Sequence, residues 1–226
     1  IHGIFTHNNL NCKLNINKTI IEIQKLVCNL SKINKLPIGI GGEHTLTYGM
    51  ITGLKQGLDI RSEDIGIIQI DAHADLRKNY NNQKFSHASV MYLLAKQNFK
   101  IYQIGVRAIS KKEIKIRNEL GINYFKNYSN NFAQSFKNLQ LPKNFPKNIY
   151  ITVDADGLDP SIMPATGTPV PKGLSYENII NIISILTKKR KVLGFDFVEF
   201  SPIKNIQAYD FISASLIYEI MSLIKI

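Results

Sequence analysis

The stretch Ile65-Gly-Ile-Ile-Gln-Ile-Asp71-Ala-His73-Ala-Asp75-Leu-Arg77 decides how the rest of the chain reads. Ile65 to Ile70 is a short β-branched run without a charge, the pattern of a strand buried on both faces. It runs directly into Asp71, His73 and Asp75. Extended backbone sends side chains two residues apart to one face, so these three are expected together. At a buried strand end they form either a polar loop kept in water or a cluster held by a cation. Matching groups elsewhere in the chain favour the cation.

Outward from that stretch, strand-like and helix-like segments alternate, which predicts an α/β fold: a mostly parallel sheet with helices on both faces. Asn17–Lys32 carries a helical stripe at Ile20, Ile23, Val27 and Leu30, with Asn17 as its expected cap. Leu36–Ile40 reads as a strand, and Gly41-Gly42-Glu43-His44 as a tight turn into a helix from Thr45. Ser86-His87-Ala88-Ser89 opens another helix. Ile101–Val106 and Ile122–Phe125 read as strands around a helix capped by Ser110 with Glu113 and closed by Gly121. Asn127–Lys147 is expected to hold a helix between loops. Strands Ile149–Val153 and Lys191–Phe197 flank a helix capped by Ser175, and Ala208–Ile224 is a last amphipathic helix.

The chain has 226 residues, 44% of them hydrophobic, enough for one large domain over 1–226. No apolar run is long enough to span a membrane, and Ile1–Asn11 lacks the pattern of a signal peptide. Cys12 and Cys28 form no disulfide framework and read as reduced thiols of a cytoplasmic protein. The formal charge of +11 comes from scattered lysines in an Asn- and Ile-rich chain, so no nucleic-acid partner is expected. His2 and His7 are taken as surface residues.

His44, the Asp71 group, Asp154-Ala155-Asp156 and Glu199 each follow the carboxyl end of a predicted strand, the edge where parallel sheets bind ligands. The pooled set is His44, Asp71, His73, Asp75, Asp154 and Asp156. That is more than one ion takes from a protein but suits two ions sharing carboxylates, and oxygen-rich ligation favours Mn2+ over Zn2+. Two such ions about 3.5–4 Å apart hold a bridging water acidic enough to give hydroxide near neutral pH. A calcium loop from Asp154 fails, because its fifth and twelfth positions are Leu158 and Ala165. Asp159, next to Pro160, is assigned to a turn.

Gly-Gly-Glu-His at 41–44, Asp-Ala-His-Ala-Asp at 71–75, Asp-Ala-Asp-Gly-Leu-Asp-Pro at 154–160 and Glu-Phe-Ser-Pro at 199–202 resemble, in order, the ureohydrolase family of arginases and agmatinases. The resemblance implies a three-layer α/β/α fold and a binuclear manganese site that hydrolyses a guanidino compound to urea and an amine. It implies two Mn2+, one held by His44, Asp71, Asp75 and Asp154, the other by Asp71, His73, Asp154 and Asp156. It further implies that Asp75 steers the hydroxide's proton, that Glu199 receives the guanidinium, and that His87 shuttles a proton to the leaving amine. A homo-oligomer, trimer or hexamer, follows from the same resemblance.

Asp75-Leu76-Arg77, Ser86-His87-Ala88 and Gly105-Val106-Arg107-Ala108 look like the agmatinase branch, so agmatine, giving putrescine and urea on the way to polyamines, is the default substrate. The loop Lys78–Lys84 and Lys172-Gly173 are basic or neutral where that branch is commonly acidic. They keep guanidinobutyrate, arginine or another guanidine open as alternatives, beside a non-catalytic binding or regulatory role. Only Ile1–Ile40 precede the first motif, and the chain therefore reads as lacking the family's N-terminal segment.

Overall fold

Six parallel strands form one sheet in the order β1-β6-β5-β2-β3-β4. They are β1 (Ile38–Ile40), β2 (Ile65–Ile70), β3 (Lys100–Ile104), β4 (Asn123–Tyr124), β5 (Asn148–Asp154) and β6 (Lys191–Val198). The helices are α1 (Ile16–Lys32), α2 (Leu46–Leu58), α3 (Val90–Ala95), α4 (Lys111–Glu119), α5 (Tyr176–Thr187) and α6 (Ala208–Leu223). This computed structural model describes residues 3–12, 15–125 and 139–224. Most of the helix expected over 127–147 lies outside the described residues.

Alternation along the strands splits the core in two. Ile68 and Ile70 of β2, Ile151 and Val153 of β5, and Phe195 and Phe197 of β6 pack with Ile179, Ile182, Leu216 and Ile220 of α5 and α6. Ile65, Ile67 and Tyr150 point to the other face, against Ile23, Val27, Ile51, Leu54 and Met91 of α1, α2 and α3. The result is the three-layer α/β/α arrangement that period-2 burial on both sheet faces requires. Every residue of β2 is buried, as its uncharged run predicts.

Helix α1 starts at Ile16, two residues before the start that a cap at Asn17 would give, and Asn15 caps it. The Asn15 side chain accepts the Asn17 N–H at 3.0 Å, so Asn17 supplies the donor rather than the cap. Helices α4 and α5 do begin in capping boxes, Ser110 with Glu113 and Ser175 with Asn178. Against α1, α2 presents Gly53 and Gly57, where an added Cβ would fall 2.6 Å from Gln24 O and 2.5 Å from Cys28 O. Among the described residues, no helix is long and apolar enough to cross a membrane.

From β2 the chain winds outward through β3 to β4, then returns to the opposite side of β2 with β5 and β6. Winding reverses between β2 and β5, and the crevice beyond their carboxyl ends is where such sheets bind ligands.

Candidate metal centre

Register brings the first groups together. Ile70 of β2 pairs with Val153 of β5, so Asp71 and Asp154, each one residue further on, emerge side by side. Ile40 and Val153 both pair with Phe197 of β6, which carries the 41–44 turn and Glu199 to the same edge. The turn is locked there: Gly41 N–H donates to Phe197 O and Glu199 N–H to Gly42 O, both at 2.9 Å. Gly41 and Gly42 have φ of 83° and 81°, the left-handed conformation that glycine adopts freely.

His44 thus points into a cluster of carboxylates. Its Nδ1 lies 2.9 Å from Asp75, 3.2 Å from Asp71 and 3.3 Å from Asp154. A second imidazole, His73, has Nδ1 2.9 Å from Asp156 and 3.7 Å from Asp71. Asp71 belongs to both groups and divides its oxygens between them, Oδ2 toward His44 and Oδ1 toward His73. Asp75 reaches His44 by a turn that extended alternation does not predict: its φ is 53°, in the left-handed region that Asp tolerates better than most residues.

Asp71, Asp154, Asp156 and Asp75 are 0%, 3%, 1% and 6% exposed, so water screens little of their mutual repulsion. Burial and the charge of Asp71 push the Asp75 carboxyl up to about 7, and the same two causes hold Asp154 well above the usual range. Burial would raise Asp71 too, but His44 and His73 outweigh it and keep that carboxyl low. Asp156 and then Asp71 drive His73 up to about 11. Burial works against a charged His44, yet Asp154, Asp71 and Asp75 raise it well above its ordinary value. These shifts describe a basin that demands positive charge. The buried His44 Nδ1 faces three carboxylates without hydrogen-bond geometry to any, and Nε2 lies 2.9 Å from the Thr152 hydroxyl. One nitrogen oriented by a neutral partner and the other turned to carboxylates is the arrangement of a metal-ligating imidazole. The donor set fits two oxygen-preferring divalent ions.

Around the ligands lies a layer of neutral polar groups that sequence reading missed. Gln69 donates to Asp71 Oδ2 at 2.7 Å, and Gln103, its register partner on β3, donates to Gln69 at 2.6 Å. Asp156 accepts from the Ala72 N–H and the Thr168 hydroxyl, each at 3.1 Å. A glutamine inside each of two buried isoleucine-rich strands is the signal that could have found them, since buried amides need partners. Asp159 does serve a turn, accepting from Ser161 and Gly173. His7 is exposed, and Cys12 and Cys28 are free thiols.

At the rim, ligand atoms of Glu43, His87 and Glu199 lie within 4.8 Å of one another. Glu43 accepts the His87 N–H at 2.9 Å and approaches its Nδ1 at 3.3 Å. Tyr80 meets the His87 ring edge-on, with centroids 5.2 Å apart. Glu199, with φ of 59°, accepts the His44 N–H at 2.7 Å, which ties rim to basin. Glu43 lies in the Gly41–His44 motif, where its neighbours in sequence do not disclose its pairing with His87, 44 residues away.

A sequence model described as the arginase family matches residues 2–223. N(1)-aminopropylagmatine ureohydrolase of Thermus thermophilus is 30% identical over 192 residues, covering 85% of this chain and 64% of that protein. Agmatinase of Pyrococcus horikoshii is 33% identical, covering 81% and 61% respectively. The chain thus spans less than two thirds of the length of these relatives. The crystal structure of agmatine ureohydrolase of Thermoplasma volcanium superposes with a TM-score of 0.79 at 27% identity, over 95% of this chain and 71% of that one. With the family model matched across nearly the whole sequence, the chain belongs to the arginase family.

Proposed function

We propose that this chain hydrolyses a guanidino compound to urea and an amine, with agmatine as the default substrate. The observation that carries the reading is Asp71, buried between two imidazole–carboxylate groups and offering one oxygen to each. The relatives named agmatinase and aminopropylagmatine ureohydrolase support the reaction class. Two Mn2+, one at His44, Asp71, Asp75 and Asp154 and one at Asp71, His73, Asp154 and Asp156, would when bound supply Lewis-acid activation of water.

The chain's own residues do the rest. Asp75, 2.9 Å from His44 Nδ1 and 6% exposed, would steer the proton of the attacking water. Glu199 accepts guanidinium N–H groups, for which a carboxylate is the matching planar acceptor. His87, whose pKa is raised chiefly by Glu43, gives a proton to the departing amine as the C–N bond breaks. A second reading, a substrate with a neutral or carboxylate tail, is favoured by the basic loop Lys78–Lys84, whose Tyr80 ring abuts His87 with centroids 5.2 Å apart. Agmatine's second positive charge gains nothing from a cation there. Cytoplasmic placement, a single-domain chain and assembly as a trimer or hexamer belong to the same reading.

Urea release from Mn2+-loaded protein, measured in parallel on agmatine, guanidinobutyrate and arginine with a chelated control, tests it. Turnover abolished by chelation is expected. Two bound ions with no turnover of any guanidine would leave a binding role as the better reading.

A further inference from the structure

The segment after β3 touches each ligand-bearing loop around His73. Arg107 and Ala108 N–H groups both donate to Ala72 O at 2.9 Å, inside Asp71-Ala72-His73, and Ala108 bridges His73. Gly105, with φ of 96°, lies so close that a Cβ would fall 2.8 Å from Asp71 O. The Arg107 side chain then crosses to the other ligand loop. Its Nη2 donates to Asp156 O at 2.7 Å and Leu158 O at 3.2 Å, and Nη1 to Gly157 O at 3.4 Å. The same guanidinium reaches a third segment, with Nη2 donating to Val170 O at 2.7 Å and Nε to Pro171 O at 3.1 Å. That segment carries Thr168, whose hydroxyl holds Asp156.

We infer that Arg107 is a positioning residue that fixes the His73–Asp156 half of the metal centre and couples it to the Thr168–Pro171 loop. Five N–H donors in one rigid plane can serve carbonyls from several segments at once, whereas an ammonium offers three donors from one point. The His44 half has different supports: Thr152 at Nε2, and the Asp75 carbonyl, which accepts the Tyr92 N–H at 3.1 Å. Loss of Arg107 therefore acts on one ion position and spares the other. The inference rests on the dinuclear reading above.

Mn2+-loaded wild type, Arg107→Met, Arg107→Lys and Thr168→Val are exposed to graded chelator, and the Mn2+ retained per chain is counted. In both Arg107 variants one ion is expected to leave at about 10–100-fold lower chelator strength, the other leaving as in wild type. Thr168→Val shifts the same ion by less, and keeps the question answerable if circular dichroism shows the Arg107 variants misfolded. Parallel loss of both ions from folded protein, an unshifted curve, or full rescue by lysine would overturn the assignment. A wild type that never holds two Mn2+ refutes the dinuclear reading itself, and this inference with it, before any variant is compared.

Discussion

The floor of the site and its rim use the same residue types, histidine and carboxylate, to opposite ends. On the floor, four aspartates no more than 6% exposed crowd two imidazoles, and neutral groups such as Thr152, Gln69 and Thr168 hold the ligands in place. On the rim, His87 and Glu43 have side chains 48% and 40% exposed and pair directly with each other. In a poorly screened interior, clustered carboxylates raise one another's pKa and require cations; in water the same groups interact weakly. The floor therefore demands fixed positive charge, whereas the rim tolerates charge that comes and goes with protonation.

The sharpest way to break that contrast is Asp71→Ala. Asp71 joins both floor groups, so retained Mn2+ should fall from two per chain to none. Urea release should drop roughly 10³-fold or more, since the lost Lewis-acid stabilisation is worth several kcal/mol. Retention of one ion at wild-type strength would mean that the two halves are independent and that Asp71 does not organise the floor.

Thr152→Val probes the neutral layer with little change of shape. The hydroxyl beside His44 Nε2 disappears inside the core, leaving a buried ring nitrogen without a partner. The expected cost is about 1–3 kcal/mol by chemical denaturation. Hold on the His44-side ion should weaken about 10–100-fold. If stability falls but metal retention does not, the layer is packing rather than orientation.

What the sequence reveals of this site follows the same division. The six residues proposed to hold the ions stand out in the sequence because each lies at the end of an uncharged strand-like run or in the glycine turn beyond it, and strand ends in a parallel sheet share one edge. Thr152, Gln69 and Gln103 do not, because their meaning lies in register: Gln69 opposite Gln103, and Thr152 against a residue 108 positions earlier in the chain. The bend at Asp75 is hidden for a related reason. Nothing local forces φ to 53°; contact with His44, contributed by a different strand end, selects it. The cap of α1 turns on a finer competition, since both Asn15 and Asn17 are good capping residues and two residues of helix separate the outcomes. The fold class needed no such detail, because alternation of strand and helix patterns survives errors of a residue or two at each boundary.

Glu43→Gln carries the smallest expected effect and tests the rim on its own terms. His87 is raised above its ordinary 6.5, first by the Glu43 contact and then by the charges of Glu199, Glu43 and Asp75. Glu43 is lowered below 4.5: burial would raise it, but His87 prevails. A raised histidine stabilises the fold fully below its unfolded pKa and ceases to do so as pH rises through the folded value. A lowered carboxylate contributes above its unfolded pKa and fails as pH falls through its folded one. The pair therefore stabilises between about pH 4.5 and the raised His87 titration. By denaturation, the variant should trail wild type by less than about 1 kcal/mol inside that window, and the gap should close above it. The His87 titration, followed by NMR, should move down toward about 6.5. Raising ionic strength should close the gap as well, because a half-exposed pair is screened by salt, while the stability lost in Thr152→Val should persist. A gap indifferent to both pH and salt would mean that Glu43 acts through the backbone N–H of His87 rather than through its ring, and the rim would then differ from the floor in exposure but not in kind.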